Sequence, residues 1–283
     1  MPLINIHQLK AGGKTLESIF YREYRHSICF LSKIPPIGEQ IKVTAYPEKL
    51  KLMDNAQRDS IKMITGHFFY GLHKEFDTDC RYVTTLRKPV SRLISYYYYL
   101  KESKELEISK VINDQSISLS DFVGLTSKDI VRLKFSKSAT FELNFMLENG
   151  QSKFISGHNP RIGETRDDLT SLALKNIENH FDFVGLTERF DDTVIGFKRR
   201  LGWTNPLFYC NANVTSSRPP IESISNEVHQ TIKLRNTCDL SLYSWVESNF
   251  DNKLKKLLPD IAFQRIKLQF LNFMYNRYRK LFR

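Results

Sequence analysis

The stretch that most limits what this chain can become is LINIHQLKAGGKTL, residues 3–16. Leu3-Ile4-Asn5-Ile6 reads as a buried strand, Ala11-Gly12-Gly13-Lys14-Thr15 as a tight turn, and Leu16, Ile19 and Phe20 open a helical pattern. Paired glycines let the backbone fold closely enough for successive N–H groups to converge, and the following helix adds its positive end. Lys10 and Lys14 bracket this nest with ammonium groups, so the guest it suits is a multiply charged phosphate or sulfate. Plain turn chemistry is the alternative reading of a Gly-Gly pair at such a junction. The nucleoside-triphosphate form of the loop is excluded at one defining position. It requires glycine five residues before Gly13-Lys14-Thr15, where this chain has Gln8.

A second site of similar design lies further along the chain. Ile28–Leu31 reads as a strand, Pro35–Gly38 as a loop and 47–60 as a polar, helix-compatible segment. Ile61–Thr65 is another core strand, ending at Gly66-His67. A histidine just beyond a strand lies at the carboxyl edge, where open α/β sheets hold their ligands, and its ordinary pKa near 6.5 suits it to take a proton from an alcohol. The competing reading of His67 is a loop histidine satisfied by hydrogen bonds. Arg81–Leu86 forms a third strand, and Pro89, at a first helical position, launches a helix over Val90–Lys101. Arg87 then stands beside a helix start and Ser95 can add a hydroxyl donor for a bound phosphate; a surface arginine and a helix cap are the alternative.

Beyond Leu100 the chain is mainly helical from Leu119 to Leu147, and Asn149, Gln151 and Lys153 alternate as on an extended strand able to reach sugar hydroxyls from one side, a solvated strand face being the alternative. A helix over 165–180, a strand over Phe181–Leu186 and a helix from Glu188 to Leu201 come next. Glu188 is expected to cap or pair rather than act as base. Arg218 lies in a 203–220 loop as a lid contact to a bound donor, or as an exposed arginine. Helices over 221–235 and 239–258 complete a first domain, 1–258. The remainder, 259–283, is a basic aromatic helix expected to turn Phe263, Ile266 and Phe270 inward and to offer Tyr275–Arg283 to lipid or an anionic polymer.

Charge and cysteine usage narrow the function classes. Net charge is +11, yet 251–283 alone carries nine Lys or Arg against two Asp. The body is only mildly basic, which argues against a nucleic-acid binder. The four cysteines lie far apart without metal or redox spacing, Met1 runs almost directly into the first strand, and no apolar run is long enough to span a bilayer. These features read as a cytoplasmic protein that holds no metal, in contact with the inner face of a membrane at most through its last helix.

Two phosphate-type sites at neighbouring strand ends imply an elongated ligand anionic at both ends. HQLKAGGKTL resembles the 5′-phosphosulfate loop, and TLRKPVSRLISYYYYL the 3′-phosphate segment, of the sulfotransferases that use 3′-phosphoadenosine 5′-phosphosulfate, in particular the carbohydrate-type family that includes heparan sulfate 2-O-sulfotransferase and bacterial relatives. ITGHFFYGLH, FDFVGLTERFDDTV and NANVTSSRP resemble further segments of that family in the same order. The resemblance implies an α/β, P-loop NTPase-like three-layer fold, with a central parallel sheet between helices and a helical C-terminal extension. It implies His67 as catalytic base and Lys10 against the leaving phosphosulfate. It further implies Ala11, Gly12, Gly13, Lys14, Thr15 and Leu16 around the 5′ end, Arg87 and Ser95 at the 3′-phosphate, Arg218 in a late loop near the donor, and Asn149, Gln151 and Lys153 near the acceptor. The implied donor is 3′-phosphoadenosine 5′-phosphosulfate, the by-product adenosine 3′,5′-bisphosphate, and the acceptor a carbohydrate or glycolipid hydroxyl. Leu9 departs from the family's usual proline and Lys88 from its usual acidic residue. A P-loop kinase and a non-catalytic basic adaptor for membranes or polyanions are the competing functions.

Overall fold

Short runs of branched and aromatic residues, buried on both faces, build the centre of the molecule, as parallel strands covered by helices require. In the computed structural model these are β1 (Leu3–Ile6), β2 (Ile28–Phe30), β3 (Met63–Gly66), β4 (Arg81–Leu86) and β5 (Phe181–Leu186). The structure describes residues 2–30, 54, 56, 59–76, 79–164, 166–210 and 218–281; the expected loop at 35–38 and most of the expected helix at 47–60 fall outside them. The strands pair in the order β2-β3-β1-β4-β5, all parallel, so every carboxyl end opens on one edge. Strand β1 sits between β3 and β4, with Leu3 opposite both Met63 and Arg81. The loop leaving Ile6 therefore lies between the loops that leave Gly66 and Leu86. That position is where α/β sheets change winding direction and open a crevice.

Polar side chains lock the strand ends in register. Asn5 Nδ2 donates to Thr65 Oγ1 at 2.8 Å, Thr84 Oγ1 to the Ile6 carbonyl at 2.7 Å, and the His7 N–H to the Gly66 carbonyl at 2.8 Å. Helix α1 (Gly13–Tyr24) buries Leu16, Ile19 and Phe20, with the Phe20 ring 5.6 Å from Trp203 in an edge-on contact. Helix α2 (Pro89–Glu102) starts on Pro89, as expected from a residue with no N–H to satisfy and a φ already set for a helix. After α3 (Glu107–Asp114), α4 (Leu119–Gly124) and α5 (Ser127–Arg132) come α6 (Lys137–Leu147) and α7 (Gly150–Ser156). Helices α8 (Leu169–His180) and α9 (Phe190–Arg200) flank β5, and α10 (Asn226–Arg235), α11 (Thr237–Leu257) and α12 (Ile261–Leu281) close the chain.

The structure corrects two expectations. The segment holding Asn149, Gln151 and Lys153 is the start of a helix, not an extended strand, because its first N–H groups find a carboxylate. Buried Asp239 accepts from the Gln151 and Ser152 N–H groups at 3.1 and 2.7 Å, while Asn149 Oδ1 accepts from the Cys238 and Asp239 N–H groups at 3.0 and 3.2 Å. Helices α7 and α11 thus cap each other, satisfying N–H groups that a helix start leaves unpaired. The second correction concerns α12. Its inward face carries Leu268, which is buried, Arg265, bound to Asp192 at 2.6 and 3.0 Å, and Asn272, which accepts the Tyr209 N–H at 2.7 Å. Phe263, Ile266 and Phe270 point outward, all more than 60% exposed. A bidentate ion pair sets the rotation of this helix, and the most apolar stripe is left on the other side.

Asp239 also faces the buried Arg92 guanidinium at 3.6 Å. Replacing Asp239 with alanine strands that cation and removes the acceptor of two helix-start N–H groups. Urea unfolding is expected to show a loss of about 3–5 kcal/mol; a loss under about 1 kcal/mol would mean the carboxylate does not brace the two helices.

Candidate active site

The loop between β1 and α1 is shaped by two backbone demands. Gly12 precedes the helix at φ 79°, a left-handed conformation that favours glycine, and Lys10 adopts φ 65°. Gly13 is fixed by proximity, since a Cβ there would lie 1.5 Å from His7 Nε2. The His7 ring therefore rests on the loop backbone. Ala11, Thr15 and Leu16 are buried beneath it and Lys14 is exposed. The Lys10 ammonium lies 4.1 Å over the Tyr99 ring, and its carbonyl accepts from Arg87 Nη1 at 2.8 Å. The cation at the end of β4 thus touches the loop at the end of β1.

His67 leaves the edge of β3 beside this loop. Its Nδ1 lies 2.7 Å from the His7 carbonyl, which only accepts, so Nδ1 carries the proton and Nε2 keeps its lone pair. The two imidazole rings stand 4.3 Å apart, and His7 Nδ1 is 2.9 Å from a Glu17 carboxylate oxygen on α1. Burial, and then the neighbouring His7, lower the pKa of His67 to about 3, although its hydrogen bond to the His7 carbonyl pulls the other way. The imidazole is neutral throughout the physiological range.

Cations crowd the same edge. Burial, followed by repulsion from Arg87, Lys14 and Arg218, lowers the Lys10 pKa to about 8; burial and then Arg218 lower that of Arg87 to about 10. Arg218 is therefore within electrostatic reach of both. No acidic residue occupies the first turn of α1, and four cations around a nest of N–H groups form a donor set for a polyanion. Ser95 is buried on α2, one helical turn before Tyr99, which supports the Lys10 ammonium.

The structure brings Lys10, Lys14, Arg87, Arg218 and His67 to one edge and gives Asn149, Gln151 and Lys153 other work. Gln151 bonds both main-chain groups of Arg87, accepting its N–H at 2.8 Å and donating to its carbonyl at 2.9 Å. Lys153 donates to the Asn144 carbonyl at 2.8 Å, with its pKa lowered to about 8 by burial. Glu188 accepts from the Lys88 N–H and the Tyr243 hydroxyl, both at 2.9 Å, so it pairs as expected. Two partners were not anticipated, Tyr99 and Glu17. The first was signalled by its four-residue spacing from Ser95; the second had no local sign. Gln8, buried where the nucleotide loop would need glycine, has no side-chain hydrogen-bond partner among the described residues. Nor do the described residues hold a group of three or more His, Cys, Asp or Glu side chains placed for a metal ion.

Galactose-3-O-sulfotransferase 3 of Mus musculus is 24% identical to this chain over 250 residues, covering 85% of this chain and 54% of that protein. A protein of Drosophila melanogaster named heparin sulfate O-sulfotransferase is 26% identical over 248 residues, covering 79% of this chain and 65% of that one. The chain thus spans less than two thirds of either relative. The cytoplasmic placement expected from its sparse cysteines and early first strand is overturned, because galactose-3-O-sulfotransferases such as the mouse relative are enzymes of the Golgi lumen. No described helix is long and apolar enough to cross a membrane. The family model described as galactose-3-O-sulfotransferase matches residues 2–267, and the chain belongs to that family.

Proposed function

We propose that this chain transfers a sulfuryl group from 3′-phosphoadenosine 5′-phosphosulfate to a carbohydrate hydroxyl, on a glycan or glycolipid, leaving adenosine 3′,5′-bisphosphate. One observation carries the reading. A neutral, oriented imidazole stands beside a nest of N–H groups ringed by Lys10, Lys14, Arg87 and Arg218. The donor set is cationic throughout, which fits a ligand with phosphate at one end and phosphosulfate at the other. Bound there, the donor supplies the sulfuryl group and a phosphate leaving group.

The chain's own residues do the rest. Lys10 and the N–H groups of 12–15 hold negative charge at the 5′ end, where it grows during transfer, while the Ala11 N–H closes the turn on the Gln8 carbonyl. Arg87, Ser95 and Arg218 hold the 3′-phosphate. His67 Nε2 takes the proton of the acceptor hydroxyl, its Nδ1–H anchored on the His7 carbonyl so that the lone pair stays aimed. A pKa near 3 belongs to the free protein; nearby anionic groups favour the imidazolium and raise it, moving the base toward working range. Glu17 steadies His7 from behind.

Replacing His67 with alanine is expected to cut turnover by roughly a hundred- to ten-thousandfold while adenosine 3′,5′-bisphosphate binds within about threefold of the parent. Near-normal turnover in a labelled-sulfate transfer assay would remove His67 from the reaction. Calorimetry with the bisphosphate against ATP separates this function from a P-loop kinase, since only the former depends on the 3′-phosphate.

A pH dependence arises from Lys10. Its ammonium titrates near 8 in the free protein, and a bound polyanion favours the charged form. Above that pH, binding must take up a proton, so affinity for the bisphosphate is expected to fall about tenfold per pH unit, and to level off below it. Lys10→Arg should abolish the break. Affinity that stays flat between about pH 7 and 9 would show that Lys10 does not meet the ligand.

A further inference from the structure

Helix α12 packs on the domain through Arg265, Leu268, Asn272 and Tyr275, the last with its ring 4.5 Å from Phe208. Its opposite face is an uncovered stripe of Phe263, Ile266, Phe270, Phe273, Met274 and Tyr278, each between 49% and 66% exposed. At helical spacing these side chains occupy an arc of about 140°, along a helix about 32 Å long. Lys267 and Arg277 are exposed within the same arc. The family match ends at residue 267, so most of the stripe lies outside what this chain shares with that family.

We infer that this face of α12 docks the protein on an anionic lipid bilayer, the helix lying in the plane of the interface. Charge selects the occupant. From Ile261 to Arg283 the sequence has no Asp or Glu, and six Lys or Arg. Two copies packed through this stripe would bring Lys267 and Arg277 against like charge with no carboxylate on either helix. A bilayer with anionic headgroups instead offers counter-charge at the depth where the stems of Lys267 and Arg277 can reach back to the surface, while the aromatic rings enter the acyl boundary. A cavity of about 740 Å³ beside the same helix agrees with this partner. It is lined by Trp203, Leu207 and Leu271 with Lys198, Arg199 and Lys267 against one carboxylate, Asp260, an apolar chamber of net cationic lining that suits an acyl chain beneath a phosphate headgroup.

Vesicle flotation of the full chain tests the inference. Vesicles of phosphatidylcholine with about one third phosphatidylglycerol are expected to carry the protein up the gradient, and pure phosphatidylcholine to carry at least about tenfold less. A Phe263→Ser, Phe270→Ser variant, with every charge intact, is expected to lose at least about tenfold in binding to the anionic vesicles. It should keep its melting temperature and its affinity for adenosine 3′,5′-bisphosphate, since both side chains are exposed on the face opposite Arg265, Leu268 and Asn272. Equal flotation of parent and variant would reduce the contact to general basic charge and overturn the inference. So would failure of the parent to float, or sedimentation showing a dimer that this variant dissolves. Because the readout is lipid binding, a failed sulfotransfer assay leaves it untouched.

Discussion

One hydrogen bond organises the cationic edge: Arg87 Nη1 on the carbonyl of Lys10, at 2.8 Å. It joins the end of β4 to the loop after β1 and holds two cationic residues side by side. Burial first, and then repulsion from neighbouring cations, lowers the pKa of both residues, so the arrangement works against its own electrostatics. The sheet makes it possible. Parallel pairing of β1 with β4 fixes the two strand ends, and Gln151 grips both main-chain groups of Arg87 so that the guanidinium can only reach inward. A polyanion entering this edge relieves repulsion that the fold has already assembled, which is the preorganisation a charge-stabilising site needs.

The imidazole pair on the other side of β1 is held by the main chain as well as by charge. The His7 N–H is tied to Gly66 and the His7 carbonyl to His67, so a residue of the glycine loop's approach sets the tautomer of a residue one strand away. Gly13 lets the His7 ring settle on the loop, and Glu17 on the following helix pairs with that ring. Loop, imidazole pair and helix start therefore move as one unit. Gly13 and Glu17 reach His67 only through His7, which touches it directly.

Much of this was legible along the chain because it is local. Strand, glycine turn and helix are contiguous between Leu3 and Tyr24, and Arg87 declares itself by standing between a β-rich run and a proline; the parallel sheet and its helices arise from such units. What escaped was decided by partners distant in sequence. Asn149, Gln151 and Lys153 alternate like a strand, yet the carboxylate of Asp239, nearly ninety residues on, makes their segment a helix. The apolar stripe of α12 argued for burial of Phe263, Ile266 and Phe270, but Asp192, seventy-three residues earlier, turned Arg265 inward instead. Periodicity shows that a helix has an apolar side and says nothing about which side meets the protein.

The mutual caps of α7 and α11 reach further than the two helices. Asp239 steadies the start of α7, the second residue of α7 is Gln151, and Gln151 holds Arg87. The last third of the polypeptide is thus wired to the mouth of the sheet by two polar links in series. The strand-bearing part is accordingly not a severable module: a version cut after β5 would keep its glycine turn and lose the Asp239 brace behind its second cation.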